Sequence, residues 1–117
     1  MKKKILVVDD NQTLRENLKA LLERTNYEVK TTGENEEIWS LLREEFDLMI
    51  LDLIFPDKNT SVILGGIKSC SPGMRVVIYS GYEEYKDSPY IRQADAFVGK
   101  SESTEALLAM IKKFLGE

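Results

Sequence analysis

Apolar residues in this chain come in short runs, and each run stops abruptly at a polar residue. Ile5-Leu6-Val7-Val8 breaks into Asp9-Asp10-Asn11, Leu48-Met49-Ile50-Leu51 stops at Asp52, Val76-Val77-Ile78-Tyr79 closes at Ser80-Gly81, and Ala96-Phe97-Val98 is followed by Lys100. Runs without alternation fit strands buried on both faces, as a parallel sheet requires. Tyr27 to Thr32 alternates instead and ends at Gly33, which predicts a less apolar strand nearer a sheet edge.

Between the strands the spacing turns helical. Asn11 is a suitable N-cap for a helix carrying Leu14, Leu18, Leu21 and Leu22, ending near Arg24. Asn35 is expected to cap a second helix with Ile38, Trp39, Leu41 and Leu42, running to about Glu45, with Trp39 in the core. Pro56, Asp57 and Asn59 mark a loop, and Ser61 to Ser69 forms a third helix with Ile63, Leu64 and Ile67 inward. Gly65-Gly66 weakens that helix, each glycine costing roughly 1 kcal/mol against alanine. Residues 83–92 read as a short fourth helix broken near Pro89. Thr104 to Leu115 is amphipathic, with Leu107, Leu108, Ile111 and Leu115 inward, Ser103 as cap and Gly116 as stop. Five repeats of strand then helix predict one α/β domain over residues 1–117, a three-layer α/β/α sandwich around a mostly parallel sheet.

Composition narrows the function more than the fold. A 117-residue chain with 43% hydrophobic and 31% charged residues is an ordinary globular domain. Its net charge of −4, with no basic stripe beyond Lys2 to Lys4, argues against direct nucleic-acid binding. No apolar run is long enough for a signal-peptide core or a membrane span, so a cytoplasmic location is expected. Histidine is absent and Cys70 is the only cysteine. Serine–histidine and cysteine–histidine catalysis, an internal disulfide and a thiolate metal cage are therefore excluded within one chain. Any bound ion must be held by oxygen, which means a hard cation such as Mg²⁺, Mn²⁺ or Ca²⁺.

The candidate chemistry lies at the strand ends: Asp9 and Asp10 after the first, Asp52 after the third, Ser80 after the fourth and Lys100 after the fifth. Open α/β sheets bind ligands beyond the carboxyl ends of their strands, where strand order reverses. In a 2-1-3-4-5 order the three carboxylates converge in one crevice beside a hydroxyl and an ammonium. Two like charges 4 Å apart cost on the order of 4 kcal/mol at an effective dielectric of 20, and a divalent cation relieves that repulsion. Next to such a cation, a carboxylate can attack phosphorus to give an aspartyl phosphate. Taken singly, each of these groups reads as turn, loop or surface chemistry. Their conjunction, in this order, is the specific signal.

These residues resemble the response-regulator receiver family over essentially the whole chain, through 5–11, 51–56, 77–81 and 96–100. The resemblance implies the flavodoxin-like 2-1-3-4-5 fold, Asp52 as the phosphorylated residue, and Asp9 and Asp10 as the acidic pair. It implies Mg²⁺ at the cluster of Asp9, Asp10 and Asp52, with Asp10 the direct ligand of the acidic pair and the backbone carbonyl of Ile54 as a further ligand. It further implies Ser80 as a switch hydroxyl, Phe97 as the aromatic coupled to it, and Lys100 as the phosphoryl contact. A chain without histidine then needs an outside donor, a histidine kinase, a histidine phosphotransfer protein or a small phosphodonor.

Three positions depart from the family pattern. Ser101 stands where proline usually follows the lysine, Thr60 stands where glycine is usual, and the Ser80–Lys100 segment is short. A trans Lys100–Ser101 bond, or visible strain, is expected. The resemblance makes Ile54 and Tyr82, two residues past Asp52 and Ser80, positions that influence how water reaches the phosphoryl group, and this bulky, mostly apolar pair is expected to slow its hydrolysis. Tyr82, Tyr85 and Tyr90, with the last helix, are candidates for contact with a downstream protein, although packing at helix edges explains those tyrosines equally well. Three other readings remain: a receiver-like module that works unphosphorylated, the receiver of a longer DNA-binding regulator, and a flavin carrier or phosphatase on the same fold. Met1 and the complete last helix are what a whole protein would have. The acid that a phosphatase needs two residues after its nucleophile is missing, because that position is Ile54.

Overall fold

The structure is a computed structural model and describes residues 2–53 and 58–116. Five strands, β1 (Lys4–Val8), β2 (Glu28–Thr32), β3 (Leu48–Leu51), β4 (Arg75–Ser80) and β5 (Ala96–Gly99), form one sheet in the order β2-β1-β3-β4-β5. Every pairing is parallel, and Val8 stands opposite both Thr32 and Leu51. The predicted order is therefore the observed one, with the alternating β2 at an edge. Because successive side chains of a strand point to opposite faces, each strand serves two cores. Ile5, Val7, Ile50 and Val77 pack under α1 (Gln12–Arg24) and α4 (Thr104–Leu115) with Leu18, Leu22, Leu107 and Ile111. Leu6, Val8, Met49 and Ile78 pack under α2 (Glu37–Leu41) and α3 (Lys58–Cys70) with Ile38, Leu64 and Ile67. Helices on both faces of a parallel sheet make the three-layer sandwich.

The caps behave as their chemistry requires. Asn11 Oδ1 accepts from Leu14 N at 3.1 Å, Ser103 Oγ accepts from Ala106 N at 3.3 Å, and Gly116 ends α4 in the left-handed region at φ 74°.

Four expectations are corrected. The second helix is only five residues long and begins after Glu36, which makes no side-chain cap, rather than after Asn35. Beyond Leu41 the chain tightens into turns in which Arg43 N and Glu44 N bond three residues back. Trp39 is 43% exposed rather than in the core, because Ile38 and Leu42 take the buried face. The third helix is longer than expected, Lys58–Cys70, so Asn59 lies in its first turn rather than in a loop. Pro56 and Asp57 lie outside the described residues. Of the two glycines in this helix only Gly66 has a packing reason: an added Cβ there would stand 3.0 Å from the Trp39 ring, whereas at Gly65 it would make ordinary contact, 3.4 Å from Gln93 Oε1. Finally, the fourth helix is replaced by two 3₁₀ turns, Glu83–Tyr85 and Pro89–Ile91, the latter starting with proline and capped by Ser88.

Candidate phosphoacceptor site

The register sets the site. β1 and β3 end side by side at Val8 and Leu51, so the next residues, Asp9 and Asp52, leave the sheet together. Asp52 N still donates to Val8 O at 2.9 Å, and Asp9 N donates to Thr32 O at 3.0 Å, which holds both backbones at the sheet end. Carboxylate oxygens of Asp9, Asp10 and Asp52 lie within 4.8 Å of one another. Asp9 is buried, Asp52 half-buried and Asp10 exposed. They face an open crevice of about 560 Å³, walled on the far side by Asn59, Thr60 and Ile63 of α3.

Lys100, from the end of β5, reaches across β4 into this cluster. Its Nζ lies 2.8 Å from Asp9 Oδ2 and 3.2 Å from Asp52 Oδ1. Asp9 is turned toward it because its other oxygen, Oδ1, accepts from Asn11 N at 2.9 Å. Arg15 Nη1 donates to the backbone O of Asp9 at 2.7 Å. The Lys100 ammonium also stands 5.9 Å from the centre of the Tyr79 ring.

Burial, then the Asp9 charge, push the Asp52 carboxyl above the usual range, and Lys100 only partly offsets them. Burial works against the Lys100 ammonium, but its hydrogen bond to Asp9 and the charges of Asp52 and Asp9 outweigh this and raise its pKa. Three carboxylates against one ammonium leave an excess of negative charge. All the donors are oxygen, one of them solvent-facing. That donor set fits a hard divalent cation.

Ser80 is buried at the end of β4, where its Oγ–H donates to Leu53 O at 2.9 Å and its oxygen accepts from Tyr82 N at 3.1 Å. Phe97 is half-buried on β5, beside a groove shared with Lys86 and Asp87. The Lys100–Ser101 bond is trans. Thr60 is buried in the first turn of α3, and Ile54 lies outside the described residues. Sequence reasoning brought together Asp9, Asp10, Asp52 and Lys100. It missed Asn11 and Arg15 as supports of Asp9, and Tyr79 beneath Lys100. Asn11 serves twice: its backbone N–H donates to Asp9 while its side chain caps α1.

Residues 5–112 match the response regulator receiver domain. The chain belongs to this family. The receiver is 31% identical over 116 residues to the DNA-binding transcriptional regulator NtrC of Bradyrhizobium sp., a match covering 97% of this chain and 24% of that protein. It thus spans about a quarter of that relative. Among solved structures it resembles the response regulator TrrA of Thermotoga maritima in complex with Mg²⁺-BeF, at 31% identity and TM-score 0.84, covering 96% of this chain and 98% of that one. It also resembles a chain in the complex of histidine kinase ThkA with TrrA, at 32% identity and TM-score 0.83, covering 97% and 98%. Among the described residues, no helix of the receiver is long and apolar enough to cross a membrane.

Proposed function

We propose that this receiver accepts a phosphoryl group on Asp52 from the phosphohistidine of a histidine kinase or phosphotransfer protein. The observation that carries the reading is the meeting of Asp9, Asp10 and Asp52 with Lys100 bridging two of them. In this reading Asp9, Asp10 and Asp52 hold Mg²⁺, with Mn²⁺ able to replace it and the carbonyl of Ile54 as a further ligand. The cation, when bound, supplies positive charge to the transferring phosphoryl oxygens.

Asp52 is the nucleophile because it is half-buried and turned into the crevice. Poor hydration leaves its oxygen less encumbered for attack than a solvated carboxylate. An Asp52 oxygen forms the new O–P bond as the donor's N–P bond breaks, and the imidazole leaves with the electron pair. Lys100 stays charged through its bonds to Asp9 and Asp52 and lies where charge grows on the phosphoryl oxygens. Asp9, steadied by Asn11 and Arg15, keeps Lys100 in place.

Ser80 acts as the switch. Its hydroxyl exchanges Leu53 O for a phosphoryl oxygen, and Phe97 turns inward behind it. The domain is a stoichiometric phosphoacceptor rather than a turnover enzyme, and it signals through protein contact. Exposed Tyr82 and Tyr90, with Tyr85 6.4 Å from Tyr82 ring to ring, offer a surface for that contact.

Acetyl phosphate with Mg²⁺ should add the mass of one phosphoryl group to the intact protein, and a chelator or Asp52→Asn should prevent it. Labelling that survives Asp52→Asn rejects the assignment. A wild type that takes no label favours a module working without phosphorylation.

A further inference from the structure

From Ser80, at the end of β4, the chain runs through Gly81 and Tyr82 into the first 3₁₀ turn. Residues 83–85 make one 3₁₀ turn with none of them buried. The side chain of Glu83 crosses from this turn to the end of β5. There Ser101 Oγ–H donates to Glu83 Oε2. The Glu83 carboxyl lies so close over Gly99 that a Cβ on that glycine would stand 2.4 Å from Glu83 Cδ. The receiving stretch is itself fixed: Gly99 N donates to Glu102 Oε2 at 2.8 Å, and Lys100 N donates to Ser80 O at 2.8 Å. Ser80 Oγ is in turn tied to the same loop, because Tyr82 N donates to it at 3.1 Å. A loop movement that carries Ser80 Oγ away from Leu53 O with this bond kept moves Tyr82 and the neighbouring Glu83 as well.

We propose that Glu83 is a positioning residue: by holding Ser101 and filling the gap over Gly99, it keeps the Ser80 loop in its resting place and opposes its movement toward a phosphoryl group on Asp52. This rests on the phosphoacceptor reading above. The contact joins two exposed side chains, so its bias is a matter of a few-fold and not all-or-none. A ligand that favours the moved loop must overcome the contact, and removing the contact lowers that resistance.

Four variants separate the parts. Glu83→Ala removes the acceptor, and Ser101→Ala removes the donor. Gly99→Ala keeps both but places a Cβ where the carboxyl sits. The atoms it meets are the far end of a flexible side chain, so Glu83 swings away while the strand stays. Glu83→Gln keeps an oxygen that can still accept from Ser101. Two quantities are measured on the full chain: affinity for beryllofluoride with Mg²⁺, and hydrogen exchange of residues 81–87 with no phosphoryl mimic present.

Glu83→Ala, Ser101→Ala and Gly99→Ala should each raise the beryllofluoride affinity about two- to five-fold and speed exchange of 81–87, with Glu83→Gln close to wild type. Unchanged exchange and affinity in Glu83→Ala and Gly99→Ala would overturn the proposal, as would a fall in affinity. Faster exchange in a protein whose wild type binds no beryllofluoride would support the hold on the loop while the phosphoacceptor reading fails.

Discussion

Replacing Asp52 by asparagine should stabilise the metal-free protein. Lys100 Nζ, 3.2 Å away, attracts the Asp52 charge by roughly 5 kcal/mol at an effective dielectric of 20. Asp9 and Asp10 each hold an oxygen within 4.8 Å of it; on the same footing Asp9 repels it by about 3.5 kcal/mol or more, and solvent-exposed Asp10 by less. The charges come close to cancelling, and the lost hydration of the half-buried carboxylate sets the balance against the charged side chain. Asn keeps the shape and removes the charge, so a gain of about 1–3 kcal/mol is expected near neutral pH without Mg²⁺. Urea unfolding in chelator measures it, read as a higher midpoint at an unchanged slope.

The pH dependence supplies the sign. The Asp52 pKa is raised in the folded state by burial and by Asp9, so between the unfolded and folded values the native protein binds more protons than the unfolded chain. Wild-type stability therefore gains from Asp52 as pH falls through that window, and the advantage of Asp52→Asn shrinks on acidification. Added Mg²⁺ should stabilise wild type more than the variant. A variant less stable than wild type in chelator, at the same slope, would refute the electrostatic account of the site.

Other substitutions test neighbouring parts. Lys100→Ala removes the ammonium between Asp9 and Asp52 and should slow acetyl-phosphate labelling by about 10² or more, followed by intact mass over time. Ser103→Ala deletes the cap on Ala106 N and should cost about 1 kcal/mol in urea unfolding without affecting labelling. Gly65→Ala meets only the flexible end of Gln93 and should stabilise α3 by about 0.5–1 kcal/mol. Gly66→Ala instead presses on the Trp39 ring, so it should gain less and shift the emission of this single tryptophan.

Much of the fold was legible because its determinants are local. The three four-residue apolar runs fit strands shielded on both faces, the shorter Ala96–Val98 run is the partly exposed edge strand β5, and Asn11, Ser103 and Gly116 mark helix ends through bonds to residues at most four positions away. The site was legible for a related reason: chain direction puts the residue after every parallel strand at the same end of the sheet. The weaker elements were not. Whether 83–92 winds into a helix or two 3₁₀ turns, and whether Trp39 is covered, depends on what packs there, as with Ile38 and Leu42 taking the inward face of α2.

By itself, then, the sequence determined the layers, the residues at the strand ends and the demand for oxygen-bound chemistry in a chain without histidine. Only the tertiary structure decided how those residues pair: Lys100 set against Asp9, 91 positions away, and Glu83 set across Gly99 onto Ser101. Backbone pattern places a side chain's origin. Its partner is selected by rotamer, burial and competing charge, which exist only once distant segments have been brought together.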